Sequence, residues 1–436
     1  MSERSRIIYV TEYYPPFGAG GAERTASLHA RLLVRSGQPV TVVTPNYGAT
    51  PRELVDGVDV IRFPFTRLSG QGRQVSPFRF FAPGYHRELA GQVLRAVGDR
   101  PVRCLHAQNT HSTIGTDLAA QHLSVPLVTH IRDTAGICGL GALCLMEPGI
   151  DAPPSRCGIR QHAVCHVTRY LPNYQRGAGM KGYGVGTAYT AAAYLDFLRR
   201  RRVYRRAARI AFASEGLRQV YRHVRDFQDE STHRVVHAPV IEDDQPGAVP
   251  NGLPPAVDAA KRSGAPLLLY VGKVSRGKGA EVLAAVQQRL RARLPAVRLV
   301  IAGHMDHARW GFDSETTVSL GFVDGPTLRG LYAACDVVVL PSIWPEPLGW
   351  ATLEAGRHAK PIVAMRVGGI PEGVVDGETG ILVDKLDVHG MCEALEALLR
   401  DPSRRHAMGQ RARQFVLERF GEAAVQRELD ALYEGL

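Results

Sequence analysis

No apolar run in the 436 residues approaches the roughly 20 that a membrane-spanning helix needs. The start, MSERSRIIYVTEYY, offers only Ile7 to Val10 as an uninterrupted apolar stretch and lacks the small-residue cleavage pattern of a secretory leader, so a cytoplasmic protein is expected. Short internal repeats and low-complexity tracts are missing too, which excludes solenoids and arrays. Cysteine is scarce, with seven residues, and the tight C-x2-C pairs of structural zinc sites do not occur. Four of the seven, Cys138, Cys144, Cys157 and Cys165, nevertheless crowd one region, with His162 and His166 beside the last. Small core residues are the default reading in a reduced chain; a metal-binding or disulfide-pinned loop is the alternative.

Acidic residues run short in one half only. Met1–Val240 holds 31 Lys+Arg against 17 Asp+Glu, the remainder 22 against 25, so the formal charge of +11 resides in the first half. Such asymmetry suits an anionic partner such as a membrane surface, a phosphorylated substrate or nucleic acid; arginines on solvated helix faces explain it equally well. RRRRVYRR (Arg199 to Arg206) lacks the interleaved aromatic platform that single strands favour, which disfavours nucleic acid. Apolar content of 45% and charged content of 22% exclude disorder, and the length exceeds what one core serves, so two domains of about 200 residues are expected.

Short apolar runs alternate with helix-length segments. RIIYV, VTVVTP, PVRCLHAQ, VPLVTHI, RIAFAS and RVVHAPVI read as strands of a first domain over 1–240, interrupted by a less regular region from Asp133 to Arg200. Residues 241–265, rich in Pro, Gly and acid, read as a linker. The rhythm then restarts over 266–436 with PLLLYVG, VRLVIAG, TVSLGFV, DVVVLP and PIVAM as strands, and the chain is mainly helical from Val388. Strand, helix, strand in this rhythm means α/β architecture: two Rossmann-like, doubly wound domains facing a cleft, with ligands expected beyond the carboxyl ends of the strands.

Four segments at such ends carry candidate chemistry. PSIWPEPLGWATLE (Pro341 to Glu354) puts Glu346 in a strand-to-helix loop and Glu354 into the following helix, on the order of 10 Å apart. That separation fits the two ends of a sugar nucleotide, since carboxylates accept hydrogen bonds from vicinal hydroxyls, while amides near Leu348 and Gly349 are free to meet a phosphate. An N-terminal dipole residue and a solvated helix position are the plain alternative. YVGKVSRGKGAEVL sets Gly272, Lys273 and Lys278 between a buried strand and a helix, a diphosphate site without the Walker pattern. RVGGIPEGVVDGETG offers Gly368 and Gly369 for close backbone approach to a ligand. EYYPPFGAGGAERTA, with Gly20 and Gly21, lacks G-x-G-x-x-G spacing, so dehydrogenase chemistry is disfavoured.

In this order the motifs GKVSRGKG, ACDVVVLPS, EPLGWATLE and GGIPE resemble those of the retaining glycosyltransferases of family 4, which have the GT-B fold. The resemblance covers nearly the whole chain and is densest from Leu267 to Val383. It implies transfer of a sugar from a nucleotide diphosphate sugar, UDP- or GDP-linked, with retention of configuration and with no divalent metal or other cofactor. Lys273 and Lys278 would neutralise the leaving diphosphate, Glu354 would bind ribose, Glu346 would face the transferred sugar, and Gly20 and Gly21 would line the donor phosphate. The last helix would cross back to the first domain. The acceptor would be a lipid-linked glycan at the inner membrane face or a soluble metabolite. Where the family often has His-Asp, this chain has Arg132-Asp133. Arg132 would contact the sugar or diphosphate with Asp133 as its neighbour, and His130 is the alternative for that role. A non-catalytic sugar-binding subunit and a sugar-phosphate synthase or phosphorylase are the rival functions on the same fold.

Overall fold

The computed structural model describes residues 5–18, 20–66, 68, 75–76, 78–174, 179–241, 252–305 and 307–436. Two compact units partition the chain. The first comprises Met1–Cys144, Ile150–Pro239 and Glu422–Leu436; the second comprises Leu145–Gly149 and Val240–Gly421.

The first unit is built on β1 (Arg6–Val10), β2 (Val40–Asn46), β3 (Arg52–Val55), β4 (Val58–Pro64), β5 (Val102–Ala107), β6 (Leu127–Ile131), β7 (Arg209–Phe212) and β8 (His233–Val235). Their order across the sheet is β3-β4-β2-β1-β5-β6-β7-β8. All neighbours pair parallel except β3 and β4, an antiparallel hairpin. Helices cover parallel sheets on both faces, which is why β1 is apolar from Ile7 to Val10 and is buried along its length. The hairpin turns on Asp56-Gly57, both at positive φ, as a tight turn between right-twisted strands requires.

The second unit carries β9 (Leu267–Val271), β10 (Arg298–Ala302), β11 (Thr317–Gly321), β12 (Val337–Leu340), β13 (Ile362–Met365) and β14 (Gly380–Val383), all parallel, in the order β11-β10-β9-β12-β13-β14. Each sheet therefore reverses its strand order once, between β1 and β5 in the first and between β9 and β12 in the second. At such a reversal the two crossovers leave in opposite directions and the loops at the strand ends diverge.

Two expectations need correction. Of the linker expected at 241–265, residues 242–251 lie outside the described residues, and the rest is not loose: Pro255–Arg262 is a helix whose Val257 is buried in the core of the second unit. The less regular region Asp133 to Arg200 ends in a 26-residue helix, Gly179–Tyr204, despite its glycines, because Ala193, Tyr194, Phe197 and Val203 bury one face. Part of the glycine-rich tract, residues 175–178, lies outside the described residues.

The closing helix Glu422–Tyr433 packs within the first unit, where Val425, Leu429, Leu432 and Tyr433 join the core with Tyr9 and Val128. Its docking is also polar. The Tyr433 hydroxyl lies 2.9 Å from that of Tyr9 and 2.6 Å from His106 Nδ1, and Glu428 accepts from the backbone amide of His237 at 2.9 Å. Replacing Tyr433 by Phe leaves two buried groups unpaired and is expected to cost about 1–3 kcal/mol, read from urea denaturation of the first unit. An unchanged midpoint would show that this network is not what holds the helix.

Candidate functional site

In the second unit the site is assembled at the β9/β12 reversal. Gly272 and the exposed Lys273 follow β9, and a turn then leads to Gly279, the positive-φ residue that caps the helix Ala280–Arg293. A Cβ at Gly279 would stand 1.8 Å from the Pro341 carbonyl oxygen, so only glycine lets the turn lie on the loop after β12. The Gly277 carbonyl clamps that contact by accepting from the amides of Ile343 and Trp344, both at 3.0 Å.

This docking carries Lys278 onto Glu346. Its ammonium meets both carboxylate oxygens, at 2.6 and 2.7 Å, and the Ser342 hydroxyl donates to the same carboxylate at 2.6 Å. Glu346 is 5% exposed and Lys278 38%, so the pair has one buried and one solvated end. Trp344 lies beneath the ammonium, 5.9 Å from ring centroid to Nζ. Lys273 has no carboxylate partner among the described residues.

The loop after β13 grips the same residue from behind: the Gly369 amide donates to the Glu346 carbonyl at 2.8 Å, and a Cβ on Gly368 would lie 2.3 Å from that oxygen. Glycine at 368 is thus required by the close approach to its own chain. The helix after Glu346 starts at Trp350 behind a Gly349 cap. Leu348 is buried, and its amide and that of Gly349 have no partner among the described residues. Glu354 is buried one turn on, 3.9 Å from both Arg357 Nη1 and His358 Nε2.

The first unit has its own pocket of about 620 Å³ at the β1/β5 reversal. Glu12 stands just past β1, Asn109, Thr110 and His111 past β5, and Arg132 and Asp133 past β6; Glu23 and Arg200 add charged side chains to the wall, with Ala22 beside them. Gly20 caps the helix Gly21–Arg35 immediately before Ala22 and Glu23, which places both glycines beside the wall and not in it. Asp133 is fully engaged, accepting from the Thr110 hydroxyl at 2.7 Å and the Ala135 amide at 2.8 Å. Arg132 donates to the Gln108 carbonyl and lies 3.1 Å from His130 Nδ1; burial pulls its guanidinium down to about 10.

His130 itself does not reach the pocket. It is buried in β6 between His29 and His106, with ring centroids 5.6 Å away on either side. Burial, with Arg132 next in weight, holds His130 well below the ordinary histidine range, so it stacks as a neutral ring.

Both halves of the chain match known families. The family described as "Glycosyl transferase 4-like domain" matches residues 20–239, just over half of the chain, and "Glycosyl transferases group 1" matches residues 257–415. The chain belongs to the glycosyltransferases. It is 37% identical over 157 residues to a D-inositol 3-phosphate glycosyltransferase of Arthrobacter sp. (strain FB24), covering 33% of this chain and 37% of that protein. It is 34% identical over 166 residues to a glycogen synthase of Mycobacterium tuberculosis, covering 36% and 40%. The chain thus spans well under half the length of these relatives. An uncharacterized glycosyltransferase of Methanocaldococcus jannaschii matches over 98% of both chains at 24% identity. Among solved structures, sucrose-phosphate synthase from Thermosynechococcus elongatus aligns with a TM-score of 0.68 at 17% identity over 98% of each chain. The Anabaena HepE protein aligns with 0.64 at 16% over 99% of this chain and 100% of its own. These neighbours share the two-domain GT-B fold.

Sequence reasoning missed Glu12, His111 and Arg200 in this glycosyltransferase. The signal for the first two was position: each stands within four residues of the end of a strand that flanks the reversal. Arg200 has no local signal, because it reaches the pocket from the helix Gly179–Tyr204.

Glu12 is the most perturbed carboxyl of the wall. Desolvation pushes it up to about 8 and the neighbouring Glu23 and Asp133 add to this, against the amide of His111, which donates at 2.7 Å. The folded chain therefore keeps a proton that the unfolded chain releases, so stability is full below the ordinary carboxylate range and falls as pH rises through about 8. Glu12→Gln, which mimics the protonated form, is expected to match the parent near pH 5 and to melt higher than it near pH 9, on the order of the linkage cited. Parallel melting curves across that range would remove the assignment.

Proposed function

We propose that the chain transfers a sugar from a nucleotide diphosphate sugar to an acceptor with retention of anomeric configuration. The observation that carries this is the cationic pair at the β9/β12 reversal, Lys278 seated on the buried Glu346 and Lys273 exposed beside it. Two ammonium groups next to the unpartnered amides of Leu348 and Gly349 would stabilise the negative charge that develops on a departing diphosphate, and they do so in place of a divalent ion. Glu346 would hold the hydroxyls of the transferred sugar, and Glu354, in the following helix, those of the ribose. HepE, whose fold this chain shares, was solved with UDP and glucose, which supports the same class of donor here. Arg132 and Asp133 are assigned to the reacting end. Retention follows if the acceptor attacks from the face that the nucleotide leaves, its proton passing to the departing phosphate, so no protein nucleophile is needed.

Thermal-shift measurement with UDP-, GDP- and ADP-sugars tests the donor, because a ligand of the folded state raises the melting temperature by mass action. Lys273→Ala/Lys278→Ala is expected to lower turnover about 10²–10³-fold with the fold intact. Undiminished turnover in that variant would sink the proposal. Binding of donor without transfer to any acceptor would favour the non-catalytic subunit, and transfer to phosphate or a sugar phosphate would favour a phosphorylase or sugar-phosphate synthase.

A second observation bears on the acceptor. Of the eleven exposed large apolar side chains among the described residues, seven lie between Ile159 and Leu195, including Val164, Val167, Met180 and Val185. Between Ala152 and Arg209 the chain carries twelve Lys and Arg and a single acid, Asp196, which is buried against His86. Although Arg200, Arg201, Arg205 and Arg206 pair with Asp196, Asp226 and Asp117, apolar tips along this net basic segment suit an anionic bilayer, so a lipid-linked acceptor at a membrane surface is favoured over a soluble metabolite. No helix among the described residues is long and apolar enough to cross a membrane. The full chain is expected to co-sediment with vesicles containing phosphatidylglycerol and not with pure phosphatidylcholine, and Val167→Glu/Met180→Glu to weaken that binding at least tenfold. Equal recovery with both vesicle types, or none with either, would return the acceptor to solution.

A further inference from the structure

Cys138, Cys144, Cys157 and Cys165 are free thiols, and among the described residues no three ligating groups converge on a point where a metal ion could sit. It is the arginines of the same unit that gather. Arg156, Arg201, Arg205 and Arg225 line one cavity of about 410 Å³, with Asp226 as the single acid in its wall. The cavity shares no residue with the pocket at the β1/β5 reversal. Four guanidinium groups against one carboxylate leave it with three net positive charges.

Separate segments of the chain bring these cations together. Arg201 is in the last turn of the helix Gly179–Tyr204 and Arg205 follows one turn later, so both project from the same face. Arg225 opens the short turn Arg225–Phe227. Its backbone amide donates to the Ser155 carbonyl at 3.0 Å, which brings the next residue, Arg156, to the same wall.

Asp226 orients half of the set. Its carboxylate is 3% exposed; one oxygen accepts from Arg205 Nε at 2.9 Å and the other from Arg201. Two guanidinium groups are thereby held in fixed directions while sharing one negative charge. Nη1 of each, and the whole guanidinium groups of Arg156 and Arg225, have no protein acceptor among the described residues. Crowded like charges repel, and an oxyanion seated among them would offset that repulsion with little reordering of the two braced side chains. Phosphate suits the cavity better than a carboxylate does. A phosphate monoester brings a charge of about −2 and three acceptor oxygens, enough for several planar forks at once, whereas one fork satisfies a carboxylate. The volume is that of a small-molecule pocket, which leaves room for the group that carries the phosphate.

We infer that Arg156, Arg201, Arg205 and Arg225 form a binding site for the phosphate group of an anionic ligand, either a soluble phosphate ester or diphosphate or the headgroup of a lipid. The inference rests neither on the transfer reaction nor on the choice of acceptor proposed above.

The test starts from the full chain carrying Lys273→Ala/Lys278→Ala, so that the loops of the second unit do not compete for diphosphate. This chain is titrated calorimetrically with inorganic pyrophosphate, and its co-sedimentation is measured with phosphatidylcholine vesicles containing phosphatidic acid. Adding Arg156→Gln/Arg225→Gln is expected to weaken binding about tenfold or more, and because both side chains are exposed the melting temperature without ligand should hold. Arg160→Gln/Arg202→Gln, which removes the same charge from exposed positions outside the cavity, should leave binding within about twofold. Loss confined to the vesicles would support the site as one for a lipid headgroup; loss with pyrophosphate would support it as one for soluble phosphate. A starting chain that binds neither probe, or an equal effect of the two arginine pairs, would overturn the site. Should the first pair not fold, protection of Arg156 and Arg225 from an arginine-modifying dicarbonyl by the same probes decides the matter, and unprotected arginines would overturn the site.

Discussion

A parallel sheet can reverse its strand order only by sending two adjacent crossovers in opposite directions, and that constraint organises both units. Where the loops part, no neighbouring strand end covers the space between them, and helix starts and strand ends look into it. Glu12 and Asn109 face one such gap, Lys278 and Glu346 the other. Neither constellation is close in sequence. Lys278 and Glu346 are 68 positions apart, and only the pairing of β9 with β12 brings them together.

A loop site is useful only if it holds its shape. The second unit achieves this with glycines that touch backbone, Gly279 against Pro341 and Gly368 against Glu346, so that three loops brace the one residue Glu346. The first unit relies on burial. Its histidine stack is kept neutral by desolvation, and Arg132, the charged residue above the stack, is steered by a backbone carbonyl and by His130. The contrast fits the charges involved, since an arginine set in a buried wall is cut off from water and needs fixed acceptors, whereas an ammonium at a solvated rim is also hydrated.

The sequence made the α/β class and most strands legible because parallel strands buried on both faces are continuous apolar runs, as LLLYV and VVVL are. It was silent where local cues were weak or were passed over. The β3–β4 hairpin carries an Asp-Gly turn between alternating apolar residues, a usable signal. The helix Gly179–Tyr204 opens with GMKGYGVG, whose low helix propensity is overridden by packing further along. Lys278 with Glu346 was readable from motif spacing, and their ion pair was not, because it depends on two loops docking. Glu12 and Arg200 share a pocket through tertiary placement alone.

The helix Glu422–Tyr433 has a consequence for biosynthesis. It fills the core of the first unit, yet the ribosome makes it after every residue of the second. While the chain is growing, Tyr9 and His106 have no Tyr433 to bond, and the groove for Leu429 and Leu432 stands open until that helix is translated. Completion of the first unit's sheet is thereby tied to synthesis beyond the second unit, so a product terminated before Glu422 would display uncovered hydrocarbon to chaperones and proteases instead of persisting as a finished half-molecule.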